Sequence, residues 1–94
     1  MARVSVSNNT ERSRYELHRD GELCSFGDYR WSDNVVAVFH VETLPEHRGE
    51  GNADILMAGI LDDLRSLGAK IRPSCPFAAS YVSEHPEHHD LVAG

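Results

Sequence analysis

Val4 and Val6 alternate with Arg3, Ser5 and Ser7, and Tyr15 and Leu17 alternate with Arg14, Glu16 and His18. A period of two predicts strands with one buried face. Asp20-Gly21 follows, between two such runs, and predicts a two-residue hairpin turn because glycine takes positive φ without penalty. The run Glu22–Trp31 carries Leu23, Phe26, Tyr29 and Trp31. Tyr29 and Trp31 read as strand residues packed against neighbours, and Cys24 reads as core. Ser32-Asp33-Asn34 marks a second turn. Val35-Val36-Ala37-Val38-Phe39 is apolar at every position, which predicts a central strand, spanning 35–43, that is covered on both faces. Strict alternation sets His40 and Glu42 on the face of Val36 and Val38, and Val41 and Thr43 on the other.

Leu44-Pro45 ends that strand, since proline cannot donate to the ladder. Beyond the segment 46–52, apolar residues recur at Ala53, Leu56, Met57, Ile60, Leu61, Leu64 and Leu67, the spacing of a helix over 53–67. Gly68 is its stop. Gly59 in the interior should cost about 1 kcal/mol against alanine, which close packing on the sheet would explain. Residues 69–72 predict a short strand ended by Pro73, and 77–82 a short helix after Pro76. Strand, helix, strand implies a right-handed parallel crossover. The fold class is therefore α+β: a mixed, mostly antiparallel sheet with one βαβ unit.

At 94 residues, residues 1–94 form one domain, with 84–94 as a polar tail in which Leu91 and Val92 are possible anchors. The formal charge of −6 disfavours a nucleic-acid partner. No run approaches the roughly 18 apolar residues of a membrane span, and no signal peptide is evident, so a cytoplasmic location with both cysteines reduced is expected. His85, His88 and His89 lie among Glu84, Glu87 and Asp90, but Pro86 interrupts helical pairing, so no metal is expected and a solvated tail shielding a ligand is the simpler reading.

The most informative segment is Arg48-Gly49-Glu50-Gly51-Asn52-Ala53, which joins a strand to an amphipathic helix. Glycines there let several N–H groups converge, and the helix start adds unsatisfied donors and partial positive charge. The result is either a phosphate cradle on an acidic protein or a plain glycine-rich turn. His40 and Glu42 are candidate general bases or a hydrogen-bonded pair at the sheet end. Cys75, just past the last strand, is either a nucleophile or a buried small hydrophobe.

Arg48-x-x-Gly51-x-Ala53 resembles the acetyl-coenzyme A motif of the GNAT acetyltransferases, and the order of elements is similar to theirs. A short single-domain GNAT-like branch is closer still. The segments Asp20-Gly21, His40-Val41-Glu42-Thr43, Pro45-Glu46-His47-Arg48-Gly49-Glu50-Gly51, Pro73-Ser74-Cys75 and His85-Pro86-Glu87-His88-His89-Asp90-Leu91-Val92 resemble its motifs in order over residues 12–92.

The resemblance implies an N-acetyltransferase that uses acetyl-coenzyme A, with an amine of a small molecule or protein as acceptor. The rival is a module that binds coenzyme A or acetyl-coenzyme A with little or no turnover. The pyrophosphate is expected on Arg48, Gly49, Glu50, Gly51, Asn52 and Ala53. The pantetheine arm is expected along Val41, Glu42, Thr43 and Leu44, where a bulge would splay the strand from its neighbour. His40, Glu42 and Cys75 are the expected catalytic residues. The chain is expected to be a monomer or a weak homodimer.

Overall fold

The computed structural model describes residues 3–93. Strands β1 (Val4–Asn9), β2 (Arg14–Arg19), β3 (Glu22–Ser32) and β4 (Val35–Thr43) form an antiparallel meander, and β5 (Lys70–Pro73) adds to β4 in parallel, in the order β1-β2-β3-β4-β5. This is the expected mixed sheet with one crossover. The β2–β3 turn is the hairpin that its sequence predicts. Asp20 (φ 53°) and Gly21 (φ 82°) both adopt the left-handed conformation that matches the twist of the flanking strands.

Between β4 and β5 runs α1 (Asn52–Leu67), one residue longer at its start than the periodicity predicts. Leu56, Met57, Ile60, Leu61 and Leu64 are fully buried. They pack with Tyr15, Leu17, Tyr29, Val36, Val38 and Ile71 in one hydrophobic cluster. Gly59 lets the helix press onto β1: a Cβ there would lie 2.7 Å from Val6 Cβ. The Tyr15 hydroxyl donates to Asp63 Oδ2 at 2.5 Å, and the Tyr29 hydroxyl to Asn8 Oδ1 at 2.5 Å, so both rings keep a polar partner. Burial first, and then the bond to Asp63, push the Tyr15 hydroxyl far above its ordinary pKa.

The second helix, α2 (Pro76–Glu84), places Ala78, Tyr81 and Val82 in the same cluster. A 3-10 turn over Pro86–Leu91 follows. The tail is therefore docked rather than solvated. Leu91 is buried, Arg65 donates to both carboxylate oxygens of Asp90 (2.8 and 3.1 Å), Lys70 Nζ donates to the Asp90 carbonyl, and the Ala93 N–H donates to the Ile71 carbonyl. Arg65 lies about 21 Å along α1 from Gly51, so the Asp90 clasp cannot shield a ligand at the helix start.

Both helices lie on one side of the sheet, which corrects the expectation of a strand covered on both faces. Val36 and Val38 are buried, but Ala37 is half-buried and Phe39 is 43% exposed. Trp31 is also 43% exposed, because it sits at the far end of the β3–β4 hairpin. Among the described residues, no helix is long and apolar enough to cross a membrane.

Candidate functional site

The register of β3 against β4 shifts once. Asp28 faces His40, yet Tyr29 faces Val38, so Phe39 is an extra residue. Such a bulge reverses alternation downstream of it. Val41 and Thr43, paired with Gly27 and Ser25, come onto the helix side together with Val36 and Val38. His40 and Glu42, paired with Asp28 and Phe26, come onto the bare side together with Ala37. The side-chain contacts agree: the His40 ring lies 6.2 Å from that of Phe26, and the Arg30 guanidinium 5.2 Å from the centre of the Phe39 ring. The faces expected from strict alternation are thus inverted beyond Phe39.

β5 pairs with β4 only over Val35–Val38. Pro73 ends it, and the N–H groups of Ser74 and Cys75 both donate to the Val38 carbonyl (2.9 and 3.1 Å). From there the chain turns into α2, and β4 has lost its neighbour on that side. The Leu44 N–H points the other way, donating to the Cys24 carbonyl at 2.9 Å. Ser25 Oγ likewise donates to the Glu42 carbonyl at 2.8 Å. Strand alternation then leaves the backbone groups of Val41 and Thr43 facing the gap. Of the four residues expected along a pantetheine arm, Val41 and Thr43 present backbone to the gap, while Glu42 and Leu44 bond toward β3. The bulge that accompanies this splay lies at Phe39, ahead of the expected 41–44.

The gap opens onto a concave pocket of about 250 Å³, whose lining includes Thr43, Arg48, Gly49, Gly51, Ala53 and Phe77. Gly49 (φ 81°) and Gly51 (φ 75°) turn the chain into α1 in a conformation that favours glycine. Among the described residues, no side chain caps the helix. Its first N–H groups, which have no acceptor within the helix, therefore open on the pocket.

The loop is braced from behind. Asn52 is 2% exposed, and its side chain points inward. Its Nδ2 donates to the His47 carbonyl and to Glu50 Oε1, both at 3.0 Å, and its Oδ1 accepts from Arg19 at 2.6 Å. His47 lies between Glu22 (2.6 Å) and Glu50 (3.2 Å). The bond to Glu22 first, and that to Glu50 next, hold the imidazole above its ordinary pKa. The bonds from Asn52 and then His47 hold the Glu50 carboxyl below its own. Asn52 and Glu50 thus spend their side chains on shaping the loop. The sequence reading missed Arg19 and His47 as braces. Arg19 meets Asn52 across 33 positions of chain, and no local pattern marks that pairing.

His40 Nε2 and Glu42 Oε1 are 3.0 Å apart, each side chain about half exposed. Cys75 is 6% exposed, caps the start of α2 without a side-chain bond, and belongs to the cluster on the helix side. The structure keeps His40 and Glu42 together but does not bring them to Cys75. Cys24 is fully buried, and both cysteines are free thiols. Among the described residues, no cluster of metal-ligating side chains forms.

A family model of the GCN5-related N-acetyltransferases matches residues 14–91. No curated protein matches the sequence. A GCN5-like protein from Staphylococcus aureus is 18% identical, with a TM-score of 0.69 over 100% of this chain and 92% of that one. The ribosomal-protein-S18-alanine N-acetyltransferase of Escherichia coli is 14% identical, with a TM-score of 0.65 over 89% and 76%. The aminoglycoside N-acetyltransferase AAC(6')-Iy, solved in complex with CoA, is 18% identical, with a TM-score of 0.50 over 81% and 57%. At these identities the structural likenesses speak for the fold, and the family model speaks for descent: the chain belongs to the GCN5-related N-acetyltransferase family.

Proposed function

We propose that this protein binds acetyl-coenzyme A in the pocket at the start of α1 and transfers the acetyl group to an amine. The observation that carries this reading is the uncapped helix start behind Gly49 and Gly51, opening on a pocket that continues into the β4–β5 gap. The pyrophosphate would take the N–H groups between Gly49 and Ala53, with the exposed Arg48 beside them. The pantetheine amides would pair with the free backbone of Val41 and Thr43, as an added strand does.

In the reaction the amine nitrogen bonds to the acetyl carbon and the carbon–sulfur bond breaks. The proton lost by the amine balances the one taken up by the departing thiolate. His40, held by Glu42 on the bare face, is the base in this proposal. Cys75 remains the alternative acetyl carrier, and its burial on the other side of the sheet favours direct transfer. A module that binds without turnover is favoured by a different observation: the His40–Glu42 pair stands on an open face.

The test joins a coenzyme A titration, followed by backbone amide shifts, to a thiol-release assay with acetyl-coenzyme A over a panel of amines. Shifts clustered at 41–43 and 49–53, together with amine-dependent thiol release, support the reading. Binding there without release leaves the binding module, and shifts elsewhere overturn the site.

A further inference from the structure

The imidazole of His47 carries a pair of bonds that a neutral ring cannot make. Its Nε2 lies 2.6 Å from Glu22 Oε2, and its Nδ1 lies 3.2 Å from Glu50 Oε1. A carboxylate only accepts, so each ring nitrogen must bring its own proton. Neutral imidazole has a single N–H, and the pair of bonds therefore calls for imidazolium. The residue is half-buried and lines the pocket at the start of α1. Glu22 reaches the ring from the start of β3, and Glu50 reaches it from the glycine loop. Arg19, at the end of β2, bonds Asn52, and its charge acts on Glu50. Arg48 and Asp54 line the same pocket with opposite signs. The bond to Glu22 outweighs the cost of partial burial, the bond to Glu50 adds to it, and the ring holds its proton above the ordinary range.

The second of these bonds controls the loop. Glu50 Oε1 accepts both from His47 and from Asn52 Nδ2, and the same Nδ2 donates to the His47 carbonyl. His47, Glu50 and Asn52 thus close a circuit around Gly49 and Gly51, the residues that turn the amide donors toward the pocket. Take the proton from Nδ1 and a lone pair faces a carboxylate oxygen at 3.2 Å. That contact repels, Glu50 leaves its place, and Asn52 loses an acceptor. The shorter bond to Glu22 keeps the remaining proton on Nε2. An anion in the pocket acts in the opposite sense, because it favours the charged ring and the loop shape that goes with it.

We propose that His47, as imidazolium, is a positioning residue for coenzyme A: it holds the glycine loop in its anion-binding shape, so affinity falls as pH rises and the ring gives up its second proton. This inference rests on the proposed cofactor site and deepens it, by making a proton a ligand of that site.

Calorimetric titration with coenzyme A from about pH 6 to about pH 9 reads the linkage. The parent should lose at least about fivefold in affinity over that range, beyond the change that the ligand's own phosphates bring. His47→Gln supplies that background, and should bind across the range as weakly as the parent does at high pH. Glu50→Gln supplies the rescue. Its amide can donate to the lone pair of a neutral His47 and still accept from Asn52, so its affinity should hold at high pH. Parallel profiles for the parent and His47→Gln overturn the proposal, as does a Glu50→Gln protein that keeps the parent's decline. A second readout needs no cofactor. In the free protein, the amides of Gly49, Glu50, Gly51 and Asn52 should titrate together with the His47 ring, and saturating coenzyme A should raise the pKa they share. Loop amides that follow the ring while coenzyme A binds elsewhere uphold the proton-set loop and overturn the cofactor site. Loop amides that ignore the ring overturn the inference, wherever coenzyme A binds.

Discussion

Replacing Gly59 with alanine sets two effects against each other, and the structure decides between them. In a helix interior the change should return about 1 kcal/mol. An added Cβ, however, would sit 2.7 Å from Val6 Cβ, 2.7 Å from Cγ2 and 2.8 Å from Cγ1. Carbon pairs rest at roughly 3.5–4.0 Å, so strand and helix must part by about 1 Å. One of the atoms met is the branch point of Val6, which no rotamer change can move aside. Overpacking of this kind costs typically 1–3 kcal/mol, and three contacts put it near the top of that range. The net expectation is a loss of about 2 kcal/mol, or ~8–16 °C in Tm for a domain of this size. Urea and thermal unfolding of Gly59→Ala, Val6→Ala and the double variant measure it. Removing both Val6 methyls relieves two of the contacts, so the double variant should show a favourable coupling of at least about 0.5 kcal/mol. A Gly59→Ala protein that melts above the parent would refute the close approach of α1 to β1.

Four further outcomes are expected. Gly51→Val should cost about 1–2 kcal/mol through its positive φ alone, since nothing lies within 4 Å of the new Cβ, and should weaken coenzyme A binding at least tenfold by calorimetry. Asn52→Leu leaves the His47 carbonyl and an Arg19 donor without partners, at about 1–3 kcal/mol, and should raise amide exchange across 47–52. The folded-state pKa of His47 lies above its unfolded value, so its stabilisation is fully present below about pH 6.5 and fades as pH rises through the raised value. Chemical denaturation from pH 5.5 to 9 should show that decline, and His47→Gln should remove it. Incubation with acetyl-coenzyme A and no amine should give no acetyl adduct at Cys75 by intact mass, and Cys75→Ala should keep transferase activity; an adduct that disappears on adding amine would restore the covalent route.

The hairpins, the helix, the crossover and the glycine loop were legible because each rests on a local signal. Asp20-Gly21 specifies its own turn, and the spacing from Leu56 to Leu64 specifies its own buried stripe. The facing of His40 and Glu42 was not legible. It depends on Phe39 having no partner on β3, and a bulge at an apolar residue inside an apolar run leaves no mark in the alternation. The uncovered side of β4 was hidden for a related reason. Phe39 and Ala37 read as core by type, yet Phe39 is covered by Arg30 rather than by a helix. Docking of the tail also depended on distant partners, Arg65 and Lys70 for Asp90, although Leu91 had signalled an anchor.

The bulge at Phe39 lets β4 carry one residue more than its partner without turning its far end over. Flatten that bulge with Phe39 drawn into the ladder and every later residue changes face: Val41 and Thr43 swing to the wet side, and two ionisable side chains swing into the oil. Delete Phe39 instead and the pairings on either side of it, Val38 with Tyr29 and His40 with Asp28, survive with their faces intact, and only the kink is lost. A relative one position shorter between Val38 and His40 would therefore keep its side chains where they are while straightening the strand beside the gap. Losing one residue at this place is the mildest of deletions for facing and a direct probe of what the kink itself contributes.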